Sequence, residues 1–198
     1  MNQILQEVLE RVKPDKKEET RITELAQELI DEAQKNGSDY TALIVGSVAK
    51  GTFLKDADID LFLKFSEGIN LKKEGLATAR RILPDGRELY AQHPYLHGEK
   101  HGIGLDVVPC YEVKDPSKPV SAVDRTPFHT EWVKKNIDGM EDEIRLTKQF
   151  LKGAGAYGAG AAIGGFSGYL VEILCIKNKG FTNLLAVSYT HLTLPTKA

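Results

Sequence analysis

Cysteine is scarce in this chain of 198 residues: Cys110 and Cys175 stand far apart, outside any CxxC pair and without a histidine at ligand spacing. A disulfide framework and a thiolate zinc site are thereby excluded, and both read as reduced, partly buried thiols. No stretch approaches the roughly 18 apolar residues of a membrane-spanning helix. The opening MNQILQEVLERVKPD has no continuous apolar core either. Ile4, Leu5, Val8 and Val12 recur at helical spacing with acids between them, so it reads as an amphipathic helix and not a signal peptide. Neither sign of charge dominates: 26 Lys and Arg face 28 Asp and Glu, a net charge of -2. The global basic footprint of a nucleic-acid binder is absent, although a local basic groove is compatible with that total. Internal repeats are absent too. With 41% hydrophobic and 27% charged residues the composition is that of a soluble globular protein, with the cytoplasm as the expected compartment.

What is present is patterned. Pro14 breaks the first short helix, and KKEETRITELAQELIDEAQKNG then places Ile22, Leu25, Leu29, Ile30 and Ala33 on one face, with Gly37 as the stop. YTALIVG (40–46) is a short apolar strand. Residues 47–54 suit one or two helical turns from a Gly-Ser corner. ADIDLFLKF (57–65) follows as an alternating strand, Asp58, Asp60 and Phe62 on one side, Ile59, Leu61 and Leu63 on the other. A helix is predicted over 71–83, closed by Pro84-Asp85-Gly86. Two strand-like runs, 87–95 and 101–113, are joined by a turn with histidine and glycine. Thr126-Pro127 predicts a helix start, with Thr as N-cap and Pro first in the helix. Further helices are predicted over 141–152 and 166–177, on either side of GAGAYGAGAAIGG. This order implies an α+β fold, a mixed sheet backed by helices, with a helical second region from Glu141.

The stretch VGSVAKGTFLKDADIDLFLKF (45–65) concentrates the chemistry. Residues two apart on a strand face the same way, so Asp58 and Asp60 project together. Two bare carboxylates that close repel, and one takes up a proton unless a cation neutralises them. Mg²⁺ is the natural cation, hard and held by one or two carboxylates plus substrate phosphates. Asp106, in the apolar run GLDVVPC, supplies a third carboxylate if its strand pairs beside 57–65. Two divalent ions bridged there would clamp the attacking and leaving oxygens of a phosphoryl transfer. Plainer readings stand beside these. A DxD also suits a solvated sheet face, and Asp106 alone reads as structural. At Gly46-Ser47, where strand gives way to helix, backbone N–H groups and a positive dipole end suit a phosphate. Ser47 adds a hydroxyl and Lys50 a charge one turn on.

Gly46-Ser47, Asp58, Asp60 and Asp106 together resemble the signature of the nucleotidyltransferase superfamily typified by DNA polymerase β. Within it the chain is similar to the archaeal (class I) CCA-adding enzymes, tRNA nucleotidyltransferases that build the 3′-terminal CCA without a template. The stretches that carry this are VGSVAKGTFLKDADIDLFLKF, AQHPYLHG, LDVVPCYEVKDP, SAVDRTPFHTEWV, RLTKQFLKGAGAYGA and GFSGYL, in order over 45–170. The resemblance implies a polymerase-β-like catalytic head over residues 1–140 and the start of a helical central domain over 141–186. It implies two-metal transfer of C and A from CTP and ATP to the tRNA 3′ end, releasing pyrophosphate. Asp58, Asp60 and Asp106 would be catalytic Mg²⁺ ligands, Asp106 also helping to deprotonate the 3′-hydroxyl. Gly46, Ser47, Lys50, His129, Lys148 and Tyr157 would bind the nucleotide. The implied partners are the tRNA acceptor end, CTP, ATP and a second copy of the chain as a homodimer, with no membrane.

Some positions depart from the family's pattern. It usually has Glu at Asp58 and Arg at Lys50; the shorter acid must sit closer to its ion, and Lys does not reproduce a bidentate Arg–phosphate fork. GAGAAIGG (158–165) carries no basic side chain before GFSGY. Residues 187–198, VSYTHLTLPTKA, resemble the translation of a sequencing adapter, which implies an artefactual tail on a truncated chain; the alternative is a short β-like tail. Two other functions stay open: a small-molecule or protein nucleotidyltransferase of the same superfamily, or a fragment that binds nucleotide without turnover. His93 and His97 read as turn or hairpin residues, Trp132 as core, and Lys72-Lys73 and Lys134-Lys135 as solvated helix faces.

Overall fold

The computed structural model describes residues 3–90, 94–160 and 163–193; His93 lies outside them. Contacts divide the chain into two compact units, Pro14–Trp132 and Met1–Lys13 with Val133–Ala198. Helix α1 (Gln3–Val12) therefore belongs with the C-terminal segment, and the division falls after Trp132, ahead of the expected boundary at residue 140.

The larger unit is a five-stranded sheet on helices. Helix α2 (Lys16–Lys35) starts where the Asp15 carboxylate accepts the N–H of Glu18 at 2.8 Å, an N-cap. It buries the stripe Ile22, Leu25, Ala26, Leu29 and Ala33, and ends at Asn36, one residue before the expected Gly37. Strand β1 (Tyr40–Val45) leads through α3 (Gly46–Ala49) to β2 (Ile59–Phe65). The predicted helix over 71–83 is a π-helical turn, Leu71–Gly75, running into α4 (Leu76–Ile82). Gly75 marks the change, because a Cβ there would stand 2.7 Å from Pro109 Cβ. Then come β3 (Arg87–Tyr90), β4 (Pro94–Lys100) and β5 (Ile103–Tyr111). The sheet order is β1-β2-β5-β4-β3, with β2 and β5 parallel and the other pairs antiparallel.

Alternation in β2 sorts its residues as predicted. Ile59, Leu61 and Leu63 enter the main core with Leu29, Ala79, Leu96, Leu105 and Val107, while Phe62 joins Val45, Val108 and Cys110 on the opposite face. Each fully buried aliphatic side chain contributes about 1.5–3 kcal/mol, so this pattern fixes the register of the site-bearing strand.

Three expectations change. Where two strands were predicted between 87 and 113 there are three, and β4 carries Pro94 at its first position and Gly98 within it. A Cβ at Gly98 would stand 3.1 Å from a Leu83 methyl group, so helix-side packing is close where the strand passes. Thr126 is not an N-cap: its φ of -59° and ψ of -40° are helical, and it continues a 3₁₀ turn, Ala122–Arg125, into α5 (Thr126–Asn136). The Asp124 carboxylate secures that start by accepting the N–H groups of Ser121 and Tyr111. Trp132 is 37% exposed, not core.

The other unit holds α1, α6 (Glu141–Gly153), α7 (Gly168–Lys177) and α8 (Phe181–Thr193). Leu9, Leu146 and Phe181 form one buried cluster, and Val133, Ile137, Ile144 and Cys175 another. The Ser167 hydroxyl caps α7 by accepting from Leu170 N–H at 3.2 Å, and the Glu143 carboxylate accepts the N–H of Phe181 at the start of α8. Residues 187–193 of the expected tail lie in this helix, and 194–198 fall outside the described residues. Among the described residues no helix is long and apolar enough to cross a membrane.

Candidate functional site

Sheet register assembles the centre of the site. Val45 pairs with Asp60, Asp60 with Asp106, Asp106 with His97, and His97 with Arg87. Directly opposed residues share a face, so Asp60, Asp106, His97 and Arg87 form one polar row across four strands. The row lies beside the apolar patch of Val45, Phe62, Val108 and Cys110. The third carboxylate therefore stands next to the second, which is what the spacing required of Asp106.

Glycines make room for the acids. Gly46 has φ +67°, and a Cβ there would fall 1.9 Å from Asp60 Oδ2. Gly104, two residues before Asp106 on β5, leaves the same space for Asp58, whose Oδ1 would be 1.9 Å from a Cβ. Asp58 itself lies just ahead of β2 and is exposed, so the desolvation expected of a buried strand acid does not arise. It lines a hollow of about 260 Å³ with Arg21, Lys55, Gly102 and Gly104.

The fold perturbs Asp106. Burial pushes its carboxyl above the ordinary carboxylate range, the hydrogen bond and charge of His97 pull it back, and the charge of Asp58 raises it again. His97 Nδ1 lies 2.7 Å from Asp106 Oδ1. This histidine was read from sequence as a turn or hairpin residue, and its contact with Asp106 was missed. A pairing set by strand register has no local signal.

The Gly-Ser corner is tighter than expected. Helix α3 has four residues, and Lys50 and Thr52 both donate their N–H groups back to the Ser47 carbonyl. One turn sums too few peptide dipoles for a helix-end field, so anion chemistry here falls to N–H groups, the Ser47 hydroxyl and Lys50. His129 lies near this corner electrostatically. Burial, then the charges of Arg125 and Lys50, hold its imidazole below the ordinary histidine range. Arg125 was not singled out from the sequence; together with Lys50 it makes a cationic flank.

Lys148 and Tyr157 belong to the other unit. Lys148 is buried, with Nζ 3.2 Å from Glu172 Oε1, and Glu172 is fully buried as well. Tyr157 forms an isolated bridge with Phe166, and the Lys152 ammonium lies 6.0 Å from its ring centroid.

Among the described residues no three or more His, Cys, Asp or Glu side chains gather tightly enough to hold a metal ion by themselves. The donors nevertheless suit a hard divalent ion. Two carboxylates stand in register, a third follows on the same side, and glycines leave their oxygens uncrowded. Mg²⁺ binds through such pairs when substrate phosphates complete its shell.

Comparison with known proteins agrees with this geometry. Residues 26–129 match the nucleotidyltransferase domain family, and residues 142–194 the second domain of tRNA nucleotidyltransferases. The chain is 43% identical over 188 residues to CCA-adding enzyme sequences of Thermoplasma acidophilum, covering 91% of itself, 44% of one sequence and 85% of another. It is 45% identical over 195 residues to the CCA-adding enzyme of Pyrococcus abyssi, of which it covers 43%. The chain thus spans less than half the length of several relatives it matches. Among solved structures, the Cid1 poly(U) polymerase bound to MgATP superposes with a TM-score of 0.66 at 16% identity, over 87% of this chain and 53% of that one. At that identity the likeness establishes the polymerase-β-like nucleotidyltransferase fold alone.

Proposed function

The chain belongs to the CCA-adding enzyme family of nucleotidyltransferases, and from that premise we propose that it carries the catalytic head of an enzyme adding C and A to the 3′ end of tRNA. CTP and ATP are the donors, no template is used, and pyrophosphate leaves. The sheet unit supplies the chemistry, and the helical unit begins the part that holds RNA. The observation that carries this reading is the register pair Asp60–Asp106 beside the Gly46-Ser47 corner.

Asp60 and Asp106, joined by Asp58, would hold Mg²⁺, which neutralises the developing charge of a phosphoryl transfer when bound. Gly46 keeps the backbone clear for the triphosphate, Ser47 donates its hydroxyl, and Lys50, flanked by Arg125, offsets phosphate charge. His129, its imidazole neutral near pH 7, contacts the nucleotide from α5. The nucleotide role of Lys148 and Tyr157 rests on the family resemblance alone; within the helical unit Lys148 is buried against Glu172. The tRNA 3′-oxygen forms a bond to the α-phosphorus, the bond from that phosphorus to the bridging oxygen breaks, and the hydroxyl proton passes to Asp106.

The test uses tRNA ending before CCA, with labelled CTP and ATP. Asp60→Asn and Asp106→Asn each lower the rate at least about a hundredfold; variants as fast as the parent would refute the assignment. Label found on an antibiotic or protein in place of tRNA would move the acceptor elsewhere on the same chemistry. Stabilisation by Mg²⁺ and CTP without turnover would leave the chain a nucleotide-binding fragment.

A further inference from the structure

His97 and Asp106 sit opposite one another on β4 and β5, and the imidazole reaches the carboxylate at 2.7 Å. That is the short, charge-assisted range for N–H to a carboxylate oxygen. An ionised carboxylate only accepts, so Nδ1 must carry the proton. The carboxyl torsion of an aspartate is broad and nearly two-fold, so a lone Asp106 would present either oxygen over a wide arc. The histidine removes that freedom, because its own position is set by the backbone ladder on both sides, Arg87 pairing with His97 and His97 with Asp106. Neither side chain is sealed in: His97 is 39% exposed and Asp106 23%. The bond is therefore not a core contact the fold depends on. It stands in the same row as Asp60.

We propose that His97 is a positioning residue for nucleotidyl transfer: its Nδ1–H pins Oδ1 of Asp106, leaving Oδ2 as the oxygen offered to the metal beside Asp60. Carboxylate ligands held by such outer partners typically lose about 10–100-fold in metal affinity when the partner is removed. This rests on the reading of Asp106 as a metal ligand, and the controls separate the two.

The experiment titrates Mg²⁺ at fixed CTP and follows thermal stabilisation of the chain, with calorimetry of CTP binding as a second measure. His97→Leu raises the half-saturating Mg²⁺ concentration about tenfold or more. His97→Asn carries its amide nitrogen where Nδ1 stood, and stays within about threefold of the parent, since it can still donate to the carboxylate. Melts without Mg²⁺ or CTP check the fold of both variants, and a role in stability alone would leave the Mg²⁺ midpoint unmoved. If His97→Leu titrates like the parent, or His97→Asn is as weak as His97→Leu, the positioning role is wrong. If Asp106→Asn also titrates like the parent, or the parent shows no Mg²⁺-dependent response to CTP, the metal reading itself falls and the proposal with it.

Discussion

Two glycines serve the acids in different ways, and the difference is measurable. Gly46 sits at φ +67°, where an L side chain costs roughly 1–2 kcal/mol, and its missing Cβ is also the space of the Asp60 carboxylate. Gly46→Ala therefore combines backbone strain with a displaced ligand: the melting midpoint falls and Mg²⁺-dependent CTP binding falls with it. At Gly104 the atom in the way is the end of Asp58, an exposed side chain free to turn aside. Gly104→Ala should keep the parent's melting midpoint while weakening CTP binding in Mg²⁺, because the carboxylate is swung off the shared face. Calorimetry on both variants decides it. Unchanged CTP binding in Gly104→Ala would remove Asp58 from the ligand set. The DxD spacing was legible in the sequence because residues two apart on an extended run face one way, and Asp58 keeps to that side although β2 begins only at Ile59. The glycine at 104 was not, since its reason is a carboxylate from a different strand.

The same contrast between local and distant causes runs through the elements. Helix α2, β2 and α6 were readable because each declares itself by its own periodicity and ends. Strand β4 was hidden by Pro94 and Gly98, residues that ordinarily argue against a strand. Pro109 is tolerated in β5 because β4 stops pairing at Val107, so a missing N–H there interrupts no bond to that neighbour. The docking of α1 on α6 adds an electrostatic case. Burial pushes Asp142 up, but hydrogen bonds and charge from Lys13 and Arg145 outweigh it and hold the carboxyl below its ordinary value of 3.8. A depressed folded-state value means stability that is present in full above 3.8 and lost as pH falls through the lowered one. The pair is partly exposed, so its contribution is below about 1 kcal/mol. Urea melts of the parent and Asp142→Asn should differ at pH 6, and the gap should shrink as pH falls below 3.8; a gap that does not shrink would place the effect in packing.

Across the whole chain, the division of labour follows from where the N-terminus goes. The first residues look like a prelude to the sheet unit, and only the folded chain reveals Leu9 in one cluster with Leu146 and Phe181. The amphipathic pattern of α1 was plain in the sequence, but a pattern says that a face is buried and not against what. Removing residues 1–13 deletes a buried leucine together with the Lys13–Asp142 bridge. Losing a buried leucine side chain costs about 2–5 kcal/mol, and here it falls on the unit with the smaller clusters. Hydrogen exchange on the shortened chain should show α6 and α8 losing protection while β1, β2 and β5 keep theirs. The polar row of Asp60, Asp106, His97 and Arg87 lies wholly within Pro14–Trp132, so on the proposed reading metal-dependent CTP protection of the Gly46–Ala49 turn should survive in part. Uniform loss of protection through the sheet would mean that the two units do not unfold separately, and that the site depends on the helical unit for its stability.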